Sequence, residues 1–190
     1  MVTAFLVSFG VIFVAELGDK SQLMALAFAT RYRMVPVLIG ITAATALVHA
    51  VSVLVGAALG ASIPTDAITV VAGIAFLAFG VWTLRGDELT EEDERRASTQ
   101  SSRSTVLTVG SVFFLAELGD KTMLATITLA TQGGLFGTWL GSTLGMVVAD
   151  ALAIVAGRLL GSRLPERAVR LGAAAAFFAF GIALLVDAAW

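Results

Sequence analysis

Two short stretches of the chain carry the same group of charged residues in a strongly apolar context. The first reads Glu-Leu-Gly-Asp-Lys from Glu16 to Lys20, and the second reads the same from Glu117 to Lys121, 101 positions later. Glu, Asp and Lys stand at i, i+3 and i+4, so a continuous α-helix would present all three on one face. Carboxylate and carbonyl oxygens are the ligands that Mg²⁺, Ca²⁺ and Mn²⁺ prefer. The repeated motif therefore predicts a site for a hard divalent cation.

The predicted site combines carboxylates with neutral oxygen donors. Its candidate ligands are Glu16, Asp19, Glu117, Asp120, Ser21, Gln22, Thr122 and Asp150, and its accessory charge partners are Lys20, Lys121 and His49. The four motif carboxylates and the two lysines sum to −2 (−4 + 2), which complements one divalent cation. Zinc and copper sites usually recruit Cys or several His, and this chain has no Cys and one His.

Asp150 and His49 occupy equivalent positions, 101 residues apart, in two later apolar segments. Asp150 is either a fifth carboxylate of the site or a proton relay. His49 either pairs with Asp150, titrates by itself or is simply a hydrogen-bonded histidine, since a single imidazole fits each of these roles. The sequence leaves these alternatives open.

The elements that position these residues are predicted to be membrane-spanning helices. Only 14% of the residues are charged, against about 25% in soluble domains, and neither 34–65 nor 67–84 contains Asp, Glu, Lys or Arg. Uncharged apolar runs of about 18 residues or more are typical of membrane spans. The prediction is an all-α integral membrane protein with six spans near 2–30, 34–61, 66–85, 105–131, 134–161 and 168–187. Charges at mid-span cost about 2.5–3.5 kcal/mol each, so they must face each other, water or an ion.

The chain contains an internal duplication. With the 101-residue shift, Gly40 falls on Gly141, Gly56 on Gly157 and Pro64 on Pro165 without a gap. We therefore predict a three-helix repeat over 1–85, a charged linker over 86–104 and a second three-helix repeat over 105–190. Because three is odd, the second repeat must enter the membrane from the opposite side, as in the inverted repeats of many secondary transporters, whose substrate site lies at the repeat interface.

The arginines predict the orientation in the membrane. The chain has ten (12 Lys and Arg, less two Lys), and all of them fall in or beside the first, third and fifth connections between spans. The positive-inside rule places these connections, including the linker 86–104, in the cytoplasm and both termini outside. The acidic run Glu91–Glu94 in that linker is interpreted as a solvated loop.

A six-span protein in which Glu-x-Gly-Asp-Lys/Arg-Ser/Thr occurs twice resembles the Gdt-type cation/proton exchangers, the transmembrane protein 165 family. The matching positions are Glu16, Gly18, Asp19, Lys20 and Ser21, then Glu117, Gly119, Asp120, Lys121 and Thr122. The resemblance implies exchange of Mn²⁺, with Ca²⁺ as the second candidate, for protons across a lipid bilayer, without a permanently bound cofactor. Export of the cation from the cytoplasm is expected. The membrane is expected to be the inner or plasma membrane, because the short loops look prokaryotic.

Other functions remain to be weighed against this one. A small-solute exporter of the amino-acid type shares the six-span size, but its zwitterionic substrate would need a dedicated partner for its carboxylate. A membrane-embedded metal-dependent hydrolase is disfavoured because the chain has no His-Glu-x-x-His motif. A passive cation channel would use the same residues without proton exchange. We expect no enzymatic activity and no nucleic-acid partner, and the sequence leaves open whether the chain forms a homodimer.

Overall fold

The computed structural model describes residues 1–85, 104–160 and 166–189, and within these ranges every regular element is an α-helix. The helices are α1 (Val2–Glu16), α2 (Lys20–Arg31), α3 (Met34–Ser62), α4 (Thr65–Arg85), α5 (Thr105–Glu117), α6 (Lys121–Thr131), α7 (Leu135–Leu160) and α8 (Glu166–Asp187). The predicted acidic linker, apart from its last residue, lies outside the described residues, as does the acidic run within it.

Four helices, α3, α4, α7 and α8, are long and apolar enough to cross a membrane. The pair α1 and α2 makes a fifth candidate span, although the two helices are bent by 73° relative to each other. Helix α5 is apolar but has only 13 residues, which gives it a length of about 20 Å against a hydrocarbon core of about 30 Å. The chain is therefore a helical membrane protein with four to five candidate spans in the part that the structure describes.

The first and fourth predicted spans are not continuous helices. The first is interrupted between Glu16 and Lys20, and the fourth is interrupted at the equivalent place, between Glu117 and Lys121. Both interruptions fall inside the repeated motif. The two charged motifs thus lie at breaks near the middle of the predicted spans 2–30 and 105–131, where backbone groups leave the regular helical hydrogen-bonding pattern.

Glycines let the long helices approach the broken spans closely. A Cβ added to Gly40 of α3 would lie 2.9 Å from the carbonyl oxygen of Val106 in α5, and one added to Gly141 of α7 would overlap the carbonyl oxygen of Phe5 in α1. Val106 and Phe5 are themselves 101 positions apart, so the two contacts are reciprocal. Small residues at such positions permit the tight packing of membrane helices.

A second reciprocal pair lies further along the same helices. Gly56 of α3 contacts Ile127 of α6, and Gly157 of α7 contacts Leu26 of α2, which is the position equivalent to Ile127. Each long helix therefore follows the broken span of the other half across its break. The middle of α3 lies level with the second motif, and the middle of α7 lies level with the first.

Helices α4 and α8 pack on each other through a cluster of four phenylalanines. Phe76 contacts Phe180 edge-on at a centroid distance of 4.8 Å, and Phe177 lies 6.0 Å from both Phe76 and Phe79. Phe76 and Phe177 are equivalent positions of the duplication, as are Phe79 and Phe180. The aromatic cluster also contacts α1, α6 and α7 through Ile12, Ala15, Ala125, Leu129 and Met146.

Candidate cation site

The break in the first span is a β-turn with glycine at its third position. Leu17 has φ −62° and ψ 118°, Gly18 has φ 75°, and the Asp19 N–H donates to the Glu16 carbonyl oxygen at 3.1 Å. These values fit a type II turn, which requires positive φ at its third residue and therefore favours glycine there. The turn ends α1 at Glu16 and lets α2 begin in a new direction at Lys20.

The second break has the same backbone. Leu118 has φ −64° and ψ 114°, Gly119 has φ 80°, and the Asp120 N–H donates to the Glu117 carbonyl oxygen at 3.2 Å. Two stretches 101 residues apart thus adopt one conformation within a few degrees. The prediction that Glu, Asp and Lys of each motif share one helical face is wrong, because the turn separates Glu from Lys. The sequence signal that could have revealed the turn is the glycine at the third of the four turn positions, Glu-Leu-Gly-Asp.

Each turn places the end of one helix and the start of the next within the motif. Helices α1 and α5 end at Glu16 and Glu117, and α2 and α6 begin immediately after Asp19 and Asp120, which occupy their N-cap positions. A helix C-terminus presents carbonyl oxygens and partial negative charge, which favours a cation, whereas a helix N-terminus favours a carboxylate. Each break therefore offers carbonyl oxygens and an aspartate to the same region.

A hydroxyl group binds the glutamate of each motif. Ser21 Oγ donates a hydrogen bond to Glu16 Oε1 and lies 3.0 Å from Asp19 Oδ2. In the second motif, Thr122 Oγ1 donates to Glu117 Oε2 at 2.9 Å. All five side chains are buried, with at most 1% exposed. The serine and threonine after each lysine thus lie against the glutamate that precedes the turn.

The two motifs meet through exchanged ion pairs. The Lys121 ammonium contacts Asp19 Oδ1, and the Lys20 ammonium lies 3.3 Å from Asp120 Oδ1. Each lysine thus pairs with the aspartate of the other motif. Lys121 and Asp19 are almost completely buried, whereas 23% of the Lys20 side chain is exposed. Buried charges persist in proteins when they are paired, and these pairs bring both breaks into one site.

Asp150 joins this site from α7. It is fully buried and interacts electrostatically with Asp19, Glu16 and Glu117. Its neighbour Ala149 accepts a hydrogen bond from Gln22 Nε2 at 3.1 Å, which ties α7 to the start of α2. Sequence reasoning placed Asp150 among the candidate ligands, and the structure brings it to the first break.

His49 occupies the equivalent place on α3, between the glycines that contact the second broken span. It is fully buried, and neither ring nitrogen has a hydrogen-bond partner among the described residues. The proposed pairing of His49 with Asp150 is not a hydrogen bond here, because both Asp150 oxygens are likewise without a partner in the described part of the chain. The two equivalent positions therefore carry different groups on helices that pack in equivalent ways.

The residue four positions after each turn glycine binds that glycine's N–H. Gln22 Oε1 accepts from Gly18 N–H at 2.9 Å, and Met123 Sδ accepts from Gly119 N–H at 3.2 Å. The oxygen and the nitrogen of the Gln22 side-chain amide thus each make a hydrogen bond, the oxygen to the turn and the nitrogen to α7. Gln22 was predicted as a neutral cation ligand. In this arrangement it stabilises the turn, and its role as a cation ligand stays a prediction, because Oε1 keeps a second lone pair.

Several carboxylate oxygens have no hydrogen-bond donor within the described residues. They are Glu16 Oε2, Glu117 Oε1, Asp120 Oδ2 and both oxygens of Asp150. Buried polar atoms are nearly always hydrogen-bonded, so a group of exceptions indicates where a cation or proton would bind. Among the described residues, however, no three acidic or imidazole side chains stand in an arrangement that could hold a metal ion. In this structure lysine ammonium groups lie against the aspartates.

Comparison with known proteins agrees with this chemistry. Residues 4–91 and 105–190 match the model of the family described as divalent cation/proton antiporter GDT1. A Vibrio cholerae protein named "Putative manganese exporter" is 32% identical over 93% of this chain and 88% of its own length. A GDT1-like protein of Synechocystis is 30% identical over 96% of each chain. A chloroplastic GDT1-like protein of rice is 33% identical over 95% of this chain and 60% of its own. No solved structure was found to match.

Proposed function

The chain belongs to the divalent cation/proton antiporter GDT1 family, and from this premise we propose that it exchanges Mn²⁺ for protons, with Ca²⁺ as the second candidate cation. The family is one of transporters and not of enzymes. The observation that carries the proposal is the meeting of both motifs in one buried site, where the lysine of each motif pairs with the aspartate of the other. In many secondary transporters the substrate site lies between two repeats of the chain. Movement of one repeat against the other then opens the site alternately to the two sides of the membrane.

We further propose that the chain has six spans arranged as two inverted repeats, 1–85 and 105–190. The reciprocal contacts of Gly40 with α5 and of Gly141 with α1 support this arrangement, as do the matching turns at Gly18 and Gly119. In this reading α1 with α2 and α5 with α6 are each one broken span. Discontinuous spans at the bilayer midplane form the ion sites of many inverted-repeat transporters.

The proposed cation ligands are the carboxylates of Glu16, Asp19, Glu117 and Asp120, with Asp150 as the fifth. Ser21, Thr122, Gln22 and carbonyl oxygens at the ends of α1 and α5 complete the candidate set. With Asp150 included, the site sums to −3 when all groups are ionised (−5 + 2), so one divalent cation and one further proton would neutralise it. For the cation to bind, the lysine ammonium groups must move away from Asp19 and Asp120.

Coupling between the cation flux and the proton flux follows from electrostatic repulsion among these carboxylates. Two like charges about 4 Å apart repel by about 4 kcal/mol at an effective dielectric constant of 20. Protons therefore bind when the cation leaves, and the cation expels them when it returns. The protein can pass through the occluded state of the cycle when the site is neutralised, either by the cation or by protons. It cannot do so when the site is empty and fully ionised. The two fluxes are thereby linked in opposite directions.

One feature narrows the class of cation, and a second supports Mn²⁺ within that class. The oxygen-rich ligand set suits Mg²⁺, Ca²⁺ and Mn²⁺ as a class, and the Vibrio cholerae relative carries manganese export in its printed name. For this chain we propose export from the cytoplasm across the inner or plasma membrane. The arginine distribution supports an orientation with both termini outside and the linker in the cytoplasm.

The test is simultaneous measurement of cation and proton movement in proteoliposomes that contain the purified chain. Mn²⁺, Ca²⁺ and Mg²⁺ are compared with and without an imposed pH gradient. Exchange predicts Mn²⁺ flux that is driven by the gradient and accompanied by opposite proton flux. Glu16→Gln and Glu117→Gln should each lower this flux strongly, and Asp66→Asn, which lies outside the site at the start of α4, is the matched control.

Cation flux without opposing proton movement, and without a response to the gradient, would contradict exchange and favour a passive channel. Normal flux in both glutamine variants would contradict the assignment of the site while leaving exchange itself in place.

A further inference from the structure

A cavity of about 310 Å³ opens beside the first turns of α1, at the face that carries Met1 and the turn at 132–134. Its polar lining comes from Thr3, Ser8, Thr128, Gln132 and Thr138, and its apolar lining from α1, α4, α6 and α8. One water molecule in the liquid occupies about 30 Å³, so the cavity has room for about ten waters. A divalent cation with a six-water shell would fit. None of the candidate cation ligands lines this cavity.

A single apolar layer separates the cavity from the carboxylates along α1. Ser8 lines the cavity, Ile12 lies one turn further along and is completely buried, and Glu16 lies one turn beyond Ile12. The distance along the helix from Ser8 to Glu16 is about 12 Å at 1.5 Å per residue. The cavity and the candidate site therefore lie on the same face of one helix, with Ile12 between them.

Two other helices show the same order. On α7, Thr138 lines the cavity, the buried Ser142 and Met146 follow one and two turns further along, and Asp150 belongs to the candidate site one turn beyond Met146. On α6, Leu129 lines the cavity, and Ala125 comes between it and Thr122. Ile12, Ala125 and Met146 belong to one packed cluster, which also includes Phe76 from the cavity wall. Three helices thus lead from one cavity through one apolar layer to one charged site.

The position equivalent to Ser8 in the second repeat is apolar. Val109 corresponds to Ser8, and it is completely buried in a core with Phe28, Ile41 and Phe113. The position that carries a cavity-lining hydroxyl in the first repeat therefore carries a closely packed valine in the second. The two repeats therefore differ at this position, because the serine of the first repeat lines a cavity and the valine of the second lies in a hydrophobic core.

We propose that this cavity is the vestibule through which the exchanged cation and protons reach the carboxylates from the face that carries Met1, and that Ile12, Met146 and Phe76 form its gate. The inference rests on the exchange activity proposed above. Hydrophobic constrictions stop ions by excluding water, so a layer about one helical turn thick can close the path. Met146 suits a moving part because methionine is flexible, and its Sδ accepts a 3.3 Å hydrogen bond from Thr45 Oγ1.

The test uses the absence of cysteine from this chain. Ser8→Cys introduces one thiol into the vestibule, and Val109→Cys introduces one at the equivalent buried position as the matched control. Each variant is reconstituted, and a cationic, membrane-impermeant methanethiosulfonate reagent is added on the side of Met1. We expect the Ser8→Cys thiol to react, its Mn²⁺/proton exchange to fall at least severalfold against the same sample without reagent, and excess Mn²⁺ to slow the reaction. The Val109→Cys thiol should not react from this side.

Absence of reaction in an exchange-active Ser8→Cys protein, or complete reaction with exchange unchanged, would overturn the vestibule. If Ser8→Cys does not fold, Thr128→Cys on the α6 wall takes its place with the same expected result. The cysteine-free wild-type chain is measured in parallel. Failure of exchange in the wild type contradicts the proposed function, whereas wild-type exchange with an unresponsive vestibule thiol contradicts only this inference.

Discussion

The two broken spans have the same backbone but different surroundings. At the first break, Gln22 holds the turn and Asp150 lies nearby, whereas at the second break Met123 holds the turn and His49 lies level with it. The lysines differ as well: 2% of the Lys121 side chain is exposed, against 23% of Lys20.

This comparison separates what duplication preserves from what it allows to change. The Glu-Leu-Gly-Asp turn is the same at both sites, because a type II turn restricts the backbone of its central residues. The groups that approach the turn from other helices have diverged. A site built from two similar halves therefore need not use them equally, and substitutions at equivalent positions measure the difference.

The largest expected effect is on the buried ion pair. Lys121→Gln removes the partner of Asp19 in the completely buried pair, and breaking such a pair destabilises a protein by about 3–5 kcal/mol. Lys20→Gln also leaves a buried carboxylate, that of Asp120, without its lysine, but 23% of the Lys20 side chain is exposed, so water can partly solvate this pair and a smaller loss is expected. Thermal unfolding in detergent compares the two. The double variant Asp19→Asn/Lys121→Gln should recover much of the loss, because no uncompensated charge remains. Equal destabilisation by both lysine variants would mean that the pairs are equivalent.

The second comparison is between Asp150 and His49. Asp150→Asn removes a carboxylate that interacts with Glu16, Asp19 and Glu117, and groups of this kind around a cation site alter affinity by about 10–100-fold. We expect a loss of this size in the Mn²⁺ concentration dependence of exchange. His49→Asn should change it by less than about tenfold, because no charged partner of His49 is evident in the described part of the chain. A larger effect at His49 than at Asp150 would reverse the assignment of roles.

Much of this arrangement could be predicted from the sequence, because the determining features are local or repeated. Charge-free runs such as 34–65 predict membrane helices directly. The register of the duplication predicts which positions have the same environment. Mid-span charges such as Glu16 must be buried against partners, since lipid cannot solvate them. These arguments require no knowledge of which helix packs on which.

The remaining features depend on tertiary contacts. The i, i+3, i+4 spacing was interpreted as one helical face, although Gly18 instead permits the positive φ of a turn. The exchange of partners between Lys121 and Asp19 could not be predicted, because either lysine could equally pair within its own motif. The vestibule beside Ser8 was also not predicted, because a single serine in an apolar helix does not by itself indicate a cavity.

The turn glycine provides a smaller effect, on stability. Gly119 has φ 80°, and a Cβ at that position would meet nothing within 4 Å, so alanine there encounters only backbone strain. We expect Gly119→Ala to lower the free energy of unfolding by about 1–2 kcal/mol. Gly10 of α1 is the control, since a Cβ added there would also meet open space but the residue lies within a helix, where alanine should stabilise by about 0.5–1 kcal/mol. If both variants were neutral, strain at the turn would not contribute.

The smallest expected effect concerns the side chains that bind the turn N–H groups. Met123 Sδ is a weak acceptor for Gly119 N–H, whereas Gln22 Oε1 is a strong acceptor for Gly18 N–H. Met123→Gln should therefore raise the free energy of unfolding by about 0.5–1 kcal/mol, the net contribution of one hydrogen bond.

The reverse substitution should have a larger effect of opposite sign. Gln22→Met weakens the bond to Gly18 and also removes the one to Ala149, so a loss of about 1–3 kcal/mol is expected from two hydrogen bonds. Both variants are compared by thermal unfolding at one detergent concentration. Stabilisation by Met123→Gln together with destabilisation by Gln22→Met would show that the turns differ in how firmly they are held. A loss of stability in Met123→Gln would instead show that the second break requires a thioether. The flexibility of the methionine side chain would then be a property that this half of the site needs.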